Sequence, residues 1–131
     1  DSRASLESLS SWGSADFTRR FPQGMPTTAC GQGAAQVNGV RYYSWGSTSV
    51  KTNALDPVDI LFSITSKAFM GAANDGMVGK CSSHVGLVIR DDYKMNHFDQ
   101  VNQFFGLRDI LGTDPIAVFR QHGNRLKSAG L

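Results

Sequence analysis

A strand-like run framed by two chemically loaded loops constrains this chain more than any other feature. Asp75 stands in the turn sequence Asn74-Asp75-Gly76, the apolar stretch Val85 to Ile89 reads as a buried strand, and His97 follows in the polar loop Met95-Asn96-His97. Loops that carry function need a rigid scaffold to aim them, and a sheet is the simplest such scaffold. The flanking elements agree. Val37-Asn38-Gly39-Val40 is a two-residue hairpin signal, because Asn-Gly tolerates positive φ at both turn positions, and Val40 to Trp45 follows as a strand. Asp56-Pro57 opens a helix with Ile60, Leu61 and Ile64 as its apolar face, and Asp114-Pro115 opens another with Ile116, Phe119 and Leu126, ending before Gly130. Strand, helix, strand, helix predicts α/β layers, and a mostly parallel sheet flanked by helices.

Other segments carry weaker signals. Leu6 and Leu9 in the Ser-rich stretch Asp1 to Ser11 fit a short helix or a frayed arm. Ser14 is placed to cap a helix with Phe17 and Phe21 on one side, stopped by Pro22. Val85 to Ile89 is expected to end at an Asp91-Asp92 turn, and Asp99 to cap a helix carrying Val101, Phe104 and Phe105.

A carboxylate followed by a histidine matches the second half of the chain order Ser, Asp or Glu, His found in α/β-hydrolase triads. In that arrangement His97 takes the serine proton while Asp75 fixes the imidazole tautomer and stabilises the cation. Taken singly, Asn-Asp-Gly is ordinary turn chemistry and a lone histidine is ordinary surface chemistry. The nucleophile is missing: a serine on a strained strand-to-helix turn needs glycine two residues to each side, and no serine here has both. Ser44 has Gly46 after it but Tyr42 before it. The chain is therefore expected to be the C-terminal part of a larger hydrolase, and its opening on Asp1 is expected to reflect processing, proteolysis or truncation.

Composition narrows the partners. The 131 residues suffice for one core. A net charge of +2 with scattered Lys and Arg gives no basic stripe for nucleic acid. No apolar run approaches the ~20 residues of a membrane span, and the segment from Asp1 lacks signal-peptide character. Charged residues at 18% fall below the usual share of about 25%, which suits contact with an apolar interface. Cys30 and Cys81 are either one disulfide of an exported protein or two buried thiols; the Ser- and Gly-rich surroundings and the lack of C-x-x-C spacing favour the disulfide. Such a disulfide would remove Cys81 as a nucleophile. His84, His97 and His122 lack zinc-ligand spacing. Asp99 is either an N-cap or, with Asp56, a calcium ligand, with Asp59, Asp91 and Asp92 as weaker choices for either role.

Seven separated motifs then fall in order: Ala29-Cys30-Gly31, Tyr42-Tyr43-Ser44-Trp45, Leu55-Asp56-Pro57, Asn74-Asp75-Gly76-Met77-Val78-Gly79, Cys81-Ser82-Ser83-His84, Met95-Asn96-His97, and Arg120-Gln121-His122 with Asn124-Arg125-Leu126-Lys127. Together they resemble the C-terminal portion of the secreted bacterial triacylglycerol lipases of family I, which depend on a foldase to mature. The resemblance runs from about Leu6 onward. It implies that residues 1–131 are the C-terminal segment of one α/β-hydrolase domain. It implies Asp75 as triad acid, His97 as triad base and a Cys30–Cys81 disulfide. It also implies a structural Ca2+ held by Asp56 and Asp99 side chains with the backbone carbonyls of Gln103 and Leu107. The nucleophilic serine, the oxyanion hole and the lid then lie in an N-terminal fragment, bound as a partner or absent, with the chain starting just past the lid.

The expected activity is secreted, extracellular hydrolysis of long-chain acylglycerol esters at a lipid-water interface. Another α/β-hydrolase, such as a different carboxylesterase or a polyester depolymerase, shares the triad. A rival of another class is a non-catalytic, disulfide-stapled secreted binding module, which predicts no large apolar face left open; half of a parallel sheet predicts the opposite.

Overall fold

The computed structural model describes residues 7–8, 10–53, 55–102, 109 and 111–131. The first helix, α1 (Ser11–Arg20), is capped by Ser10, whose hydroxyl accepts from the Gly13 amide; Ser14 lies inside the helix. The chain leaves the helix at Phe21, ahead of Pro22. No residue of α1 is buried.

The Asn38-Gly39 turn has φ of 50° and 80°, as a two-residue hairpin requires, and joins β1 (Gln36–Val37) to β2 (Val40–Arg41). The strand expected over Val40 to Trp45 is split. Tyr42 donates its amide to Ala35 and its carbonyl accepts from Leu87, so the chain changes partners there. Beyond it β3 (Tyr43–Ser47) pairs in parallel with β4 (Leu87–Tyr93). β4 also continues through Asp91 and Asp92, where its register against β3 shifts. Their side chains are tied to His84 with Lys80, and to Arg90, which lets carboxylates sit on strand positions without forcing a turn.

Between the two parallel strands lies α2 (Pro57–Thr65), capped by Asp56 through the Val58 amide at 2.9 Å and with Pro57 at its first position. Its apolar face is not the one that is covered. Val58, Asp59 and Phe62 are buried, whereas Ile60, Leu61 and Ile64 are 70%, 54% and 61% exposed. The final helix, α3 (Pro115–Ser128), is capped by Asp114 and buries Pro115 and Val118. Val118 meets Tyr93 and Met95 in a small core lined by Trp45. Trp45 meets the Phe119 and His122 rings, joining α3 to the sheet.

The described residues form a small mixed helix and sheet assembly, with one parallel and one antiparallel pair of strands. Cys30 and Cys81 are disulfide-bonded, 51 residues apart in sequence. Closing so long a loop contributes roughly 4 kcal/mol by chain entropy.

Candidate active site

Parallel strands deliver their following segments to the same end of a sheet, which is where α/β proteins build sites. The segment after β3 leads through α2 to Asp75, and the segment after β4 leads within four residues to His97.

Asp75 is held by a tight turn. Asn74 bridges to Gly79, the Asp75 amide donates to Val78, and Asn74 Oδ1 accepts from the Gly76 amide at 2.9 Å. Gly76 adopts φ +101°, and a Cβ there would lie 2.5 Å from the Phe62 ring, so both the backbone and the close approach require glycine. The carboxylate is saturated with donors. Oδ1 accepts from the amides of Met77 and Val78 at 3.1 and 2.8 Å; Oδ2 accepts from His97 Nδ1 at 2.9 Å and Gln100 Nε2 at 2.6 Å. Burial pushes this carboxyl up, but the His97 hydrogen bond and the two backbone amides outweigh it, so it lies below the usual range.

His97 is anchored twice. Its backbone amide donates to the Asp75 carbonyl at 2.9 Å, which fastens the two loops directly. Its neighbour Asn96 is fully buried, accepts from the Phe98 and Asp99 amides, and donates to Thr52 Oγ1 and Asp59 Oδ1. Since Nδ1 faces a carboxylate it carries a proton, and Nε2 of the neutral ring is left as the proton acceptor. The side chain is 35% exposed, so that atom belongs to a group a reactant can approach. The Asp75 hydrogen bond raises the imidazole above its ordinary value, against the opposing effect of burial. A cavity of about 80 Å³ beside the pair is lined by Gly46, Ser47, Val78, Gly79, Ser83 and Gln100 together with Asp75 and His97. The buried Ser47 hydroxyl in it has no hydrogen-bond partner among the described residues.

The three aspartates near the Thr52 segment take different parts. Asp59 accepts from the amides of Thr52 and Asn53 at 2.6 and 2.8 Å and from Asn96 Nδ2 at 2.9 Å, and so ties α2 to the His97 loop. Asp56 caps α2. Among the described residues Asp99 caps no helix: Asp99–Val101 is a single 3-10 turn, and Oδ2 accepts from the Asn96 amide at 3.0 Å. Phe104, Phe105, Gln103 and Leu107 lie outside the described residues. Burial, with Asp59 and Asp56 nearby, raises the Asp99 carboxyl despite the Asn96 amide. Asp56, Asp59 and Asp99 are all buried, and none forms an ion pair among the described residues. Such a concentration of negative charge fits a hard cation. No group of three or more acidic, His or Cys side chains with metal-holding geometry occurs among the described residues.

The remaining histidines are structural. His84 bridges the Gly31 carbonyl and Asp91, at 2.9 and 3.1 Å. His122 packs against Trp45 and Tyr43 and accepts from Arg125. Two contributors escape a sequence reading. Asn96 and Gln100 are polar residues in a polar loop, and only their partners, far away in sequence, give them a role.

Among the described residues, then, the molecule is a mixed α/β segment that presents a buried carboxylate and a partly exposed histidine from loops at one end of a parallel strand pair. No family model matches the chain. It is 51% identical over 131 residues to a triacylglycerol lipase of Vibrio cholerae serotype O1, covering 100% of this chain and 42% of that relative. Similarity to a triacylglycerol lipase of Pseudomonas fragi is 42% over 132 residues, covering 94% and 44%. Similarity to one of Burkholderia plantarii is 34% over 162 residues, covering 100% and 45%. The chain is similar to part of these bacterial triacylglycerol lipases, and it spans less than half the length of the three.

Proposed function

We propose that this chain is the C-terminal segment of an α/β-hydrolase domain and supplies the acid and base of a Ser-Asp-His triad to a secreted triacylglycerol lipase. The observation that carries this reading is the 2.9 Å contact between His97 Nδ1 and Asp75 Oδ2, in a chain whose relatives bear that name. A serine from the N-terminal part attacks the ester carbonyl while His97 Nε2 takes its proton. His97 then protonates the departing glycerol oxygen, and afterwards accepts a proton from the water that cleaves the acyl-enzyme. Asp75 holds the ring in the tautomer that leaves Nε2 unprotonated and stabilises the imidazolium in between.

The N-terminal part is the partner that completes the sheet. A two-stranded parallel sheet is too small to be stable in isolation, and apolar side chains on α1 and α2 are left uncovered: Trp12, Phe17, Ile60, Leu61 and Ile64. The foldase acts on the assembled precursor, and the substrate is a long-chain acylglycerol at a lipid-water interface. The disulfide supports an extracellular location, and no helix among the described residues is long and apolar enough to cross a membrane. A structural Ca2+ would be held by the Asp56 and Asp99 side chains with the Gln103 and Leu107 carbonyls. There it would neutralise the carboxylates and fix the segment carrying His97.

The test is His97→Ala in the full-length protein. Ester hydrolysis is expected to fall by about 10³-fold or more, and retention within tenfold would remove His97 from the chemistry.

A further inference from the structure

The Asp75 carboxylate oxygen that receives His97 also receives a second, shorter hydrogen bond, from Gln100 Nε2 at 2.6 Å against 2.9 Å for the imidazole. Turn geometry alone does not account for it. The Met77 and Val78 amides already hold the opposite oxygen, Oδ1, and fix where the carboxylate sits. They leave its plane free to tilt about the bond to Cβ, and that tilt decides whether Oδ2 points its lone pair along the imidazole N–H. Gln100 removes this freedom: its amide approaches Oδ2 from the 3-10 turn Asp99–Val101, one step beyond the His97 loop. The carboxylate is thus gripped at both oxygens by neutral donors before the histidine is counted.

We propose that Gln100 is a positioning residue of the reaction: its amide orients the Asp75 carboxylate toward His97, and so sets the direction of the imidazole without touching substrate. This rests on the reading of Asp75 and His97 as triad members. Neutrality fits the role, since an amide donor supports the carboxylate without competing with the imidazolium as a second cation.

A double-mutant cycle in the full-length protein tests it, with a water-soluble short-chain p-nitrophenyl ester as probe. Gln100→Met keeps the side-chain length and deletes the donor. It is expected to lower kcat about tenfold with KM unchanged, and to make no further change in an Asp75→Ala background. An equal fall in both backgrounds would overturn the proposal, because it would mean that Gln100 supports the fold and not the carboxylate. Gln100→Asn, which withdraws the amide by one methylene, should reproduce the loss if Gln100→Met does not fold. The proton NMR resonance of His97 Nδ1–H supplies a readout independent of turnover: it should move in both Gln100 variants, and an unmoved resonance would also sink the proposal. Should Asp75→Ala leave kcat intact, the triad reading fails, and the resonance alone then decides whether Gln100 steers the pair.

Discussion

At the scale of single residues, the pair at 75 and 97 is defined by what each group does to the other's protonation. Asp75 lies below its ordinary 3.8 and His97 above its ordinary 6.5. A depressed carboxyl contributes stability above 3.8 that is lost as pH falls through its folded value. A raised imidazole contributes stability below 6.5 that is lost as pH rises through its folded value. The pair therefore steadies the fold most between those two points. The proposed triad asks for the opposite form of His97, the neutral ring. The acid limb of kcat/KM is thus expected above pH 6.5, and a pH-rate profile with its limb at or below that value would count against His97 as the base. Asp75 and His97 are legible in the sequence because each sits in a short motif whose local chemistry is its own. Gln100 and Asn96 are not, since an amide in a polar loop takes its meaning from partners 25 and 37 residues away.

Elements explain why those residues meet. The α2 helix is fixed at its start by Asp56 and along its buried side by Asp59, whose acceptors collect donors from the Thr52-Asn53 segment and from Asn96. One side chain thus joins the strand exit, the helix and the His97 loop. Asp59→Ala removes the acceptor shared by the Thr52 and Asn53 amides and Asn96 Nδ2, and a loss of about 3 kcal/mol is expected in urea unfolding. A loss below 1 kcal/mol would mean that water replaces the carboxylate. Helix starts are readable because Asp-Pro acts within one turn of chain; Asp56 and Asp114 both cap as expected. Strand ends are harder. β4 continues through Asp91 and Asp92 because Lys80, His84 and Arg90 accommodate their charge, and those partners are not a property of the local window.

The whole molecule carries two expectations. If Ca2+ occupies the acidic cluster, chelation should lower the melting temperature of the full-length protein and added calcium restore it. An unchanged melt would assign Asp56 and Asp99 to capping and loop closure alone. The exposed face of α2 makes the second. Leu55, just ahead of the helix, and Ile60, Leu61 and Ile64 within it are all more than half exposed, and the sheets among the described residues have two strands each. A 131-residue chain isolated by itself is expected to elute from gel filtration as an aggregate, and to become a discrete heterodimer when the N-terminal part is supplied. A monodisperse monomer that ignores the N-terminal part would favour a free-standing module instead.

Local chemistry let the sequence alone determine the hairpin at Asn38-Gly39 and the capped starts of α2 and α3, because turn residues, caps and prolines act over a few bonds. Spacing along the chain also carried the likeness to the lipases. Which side of α2 is covered, where β2 gives way to β3, that Asp99 closes a loop, and that Gln100 reaches the same oxygen as His97 were decided only in three dimensions. Each depends on donors and surfaces brought together across tens of residues, and no window of sequence contains both halves of such a contact.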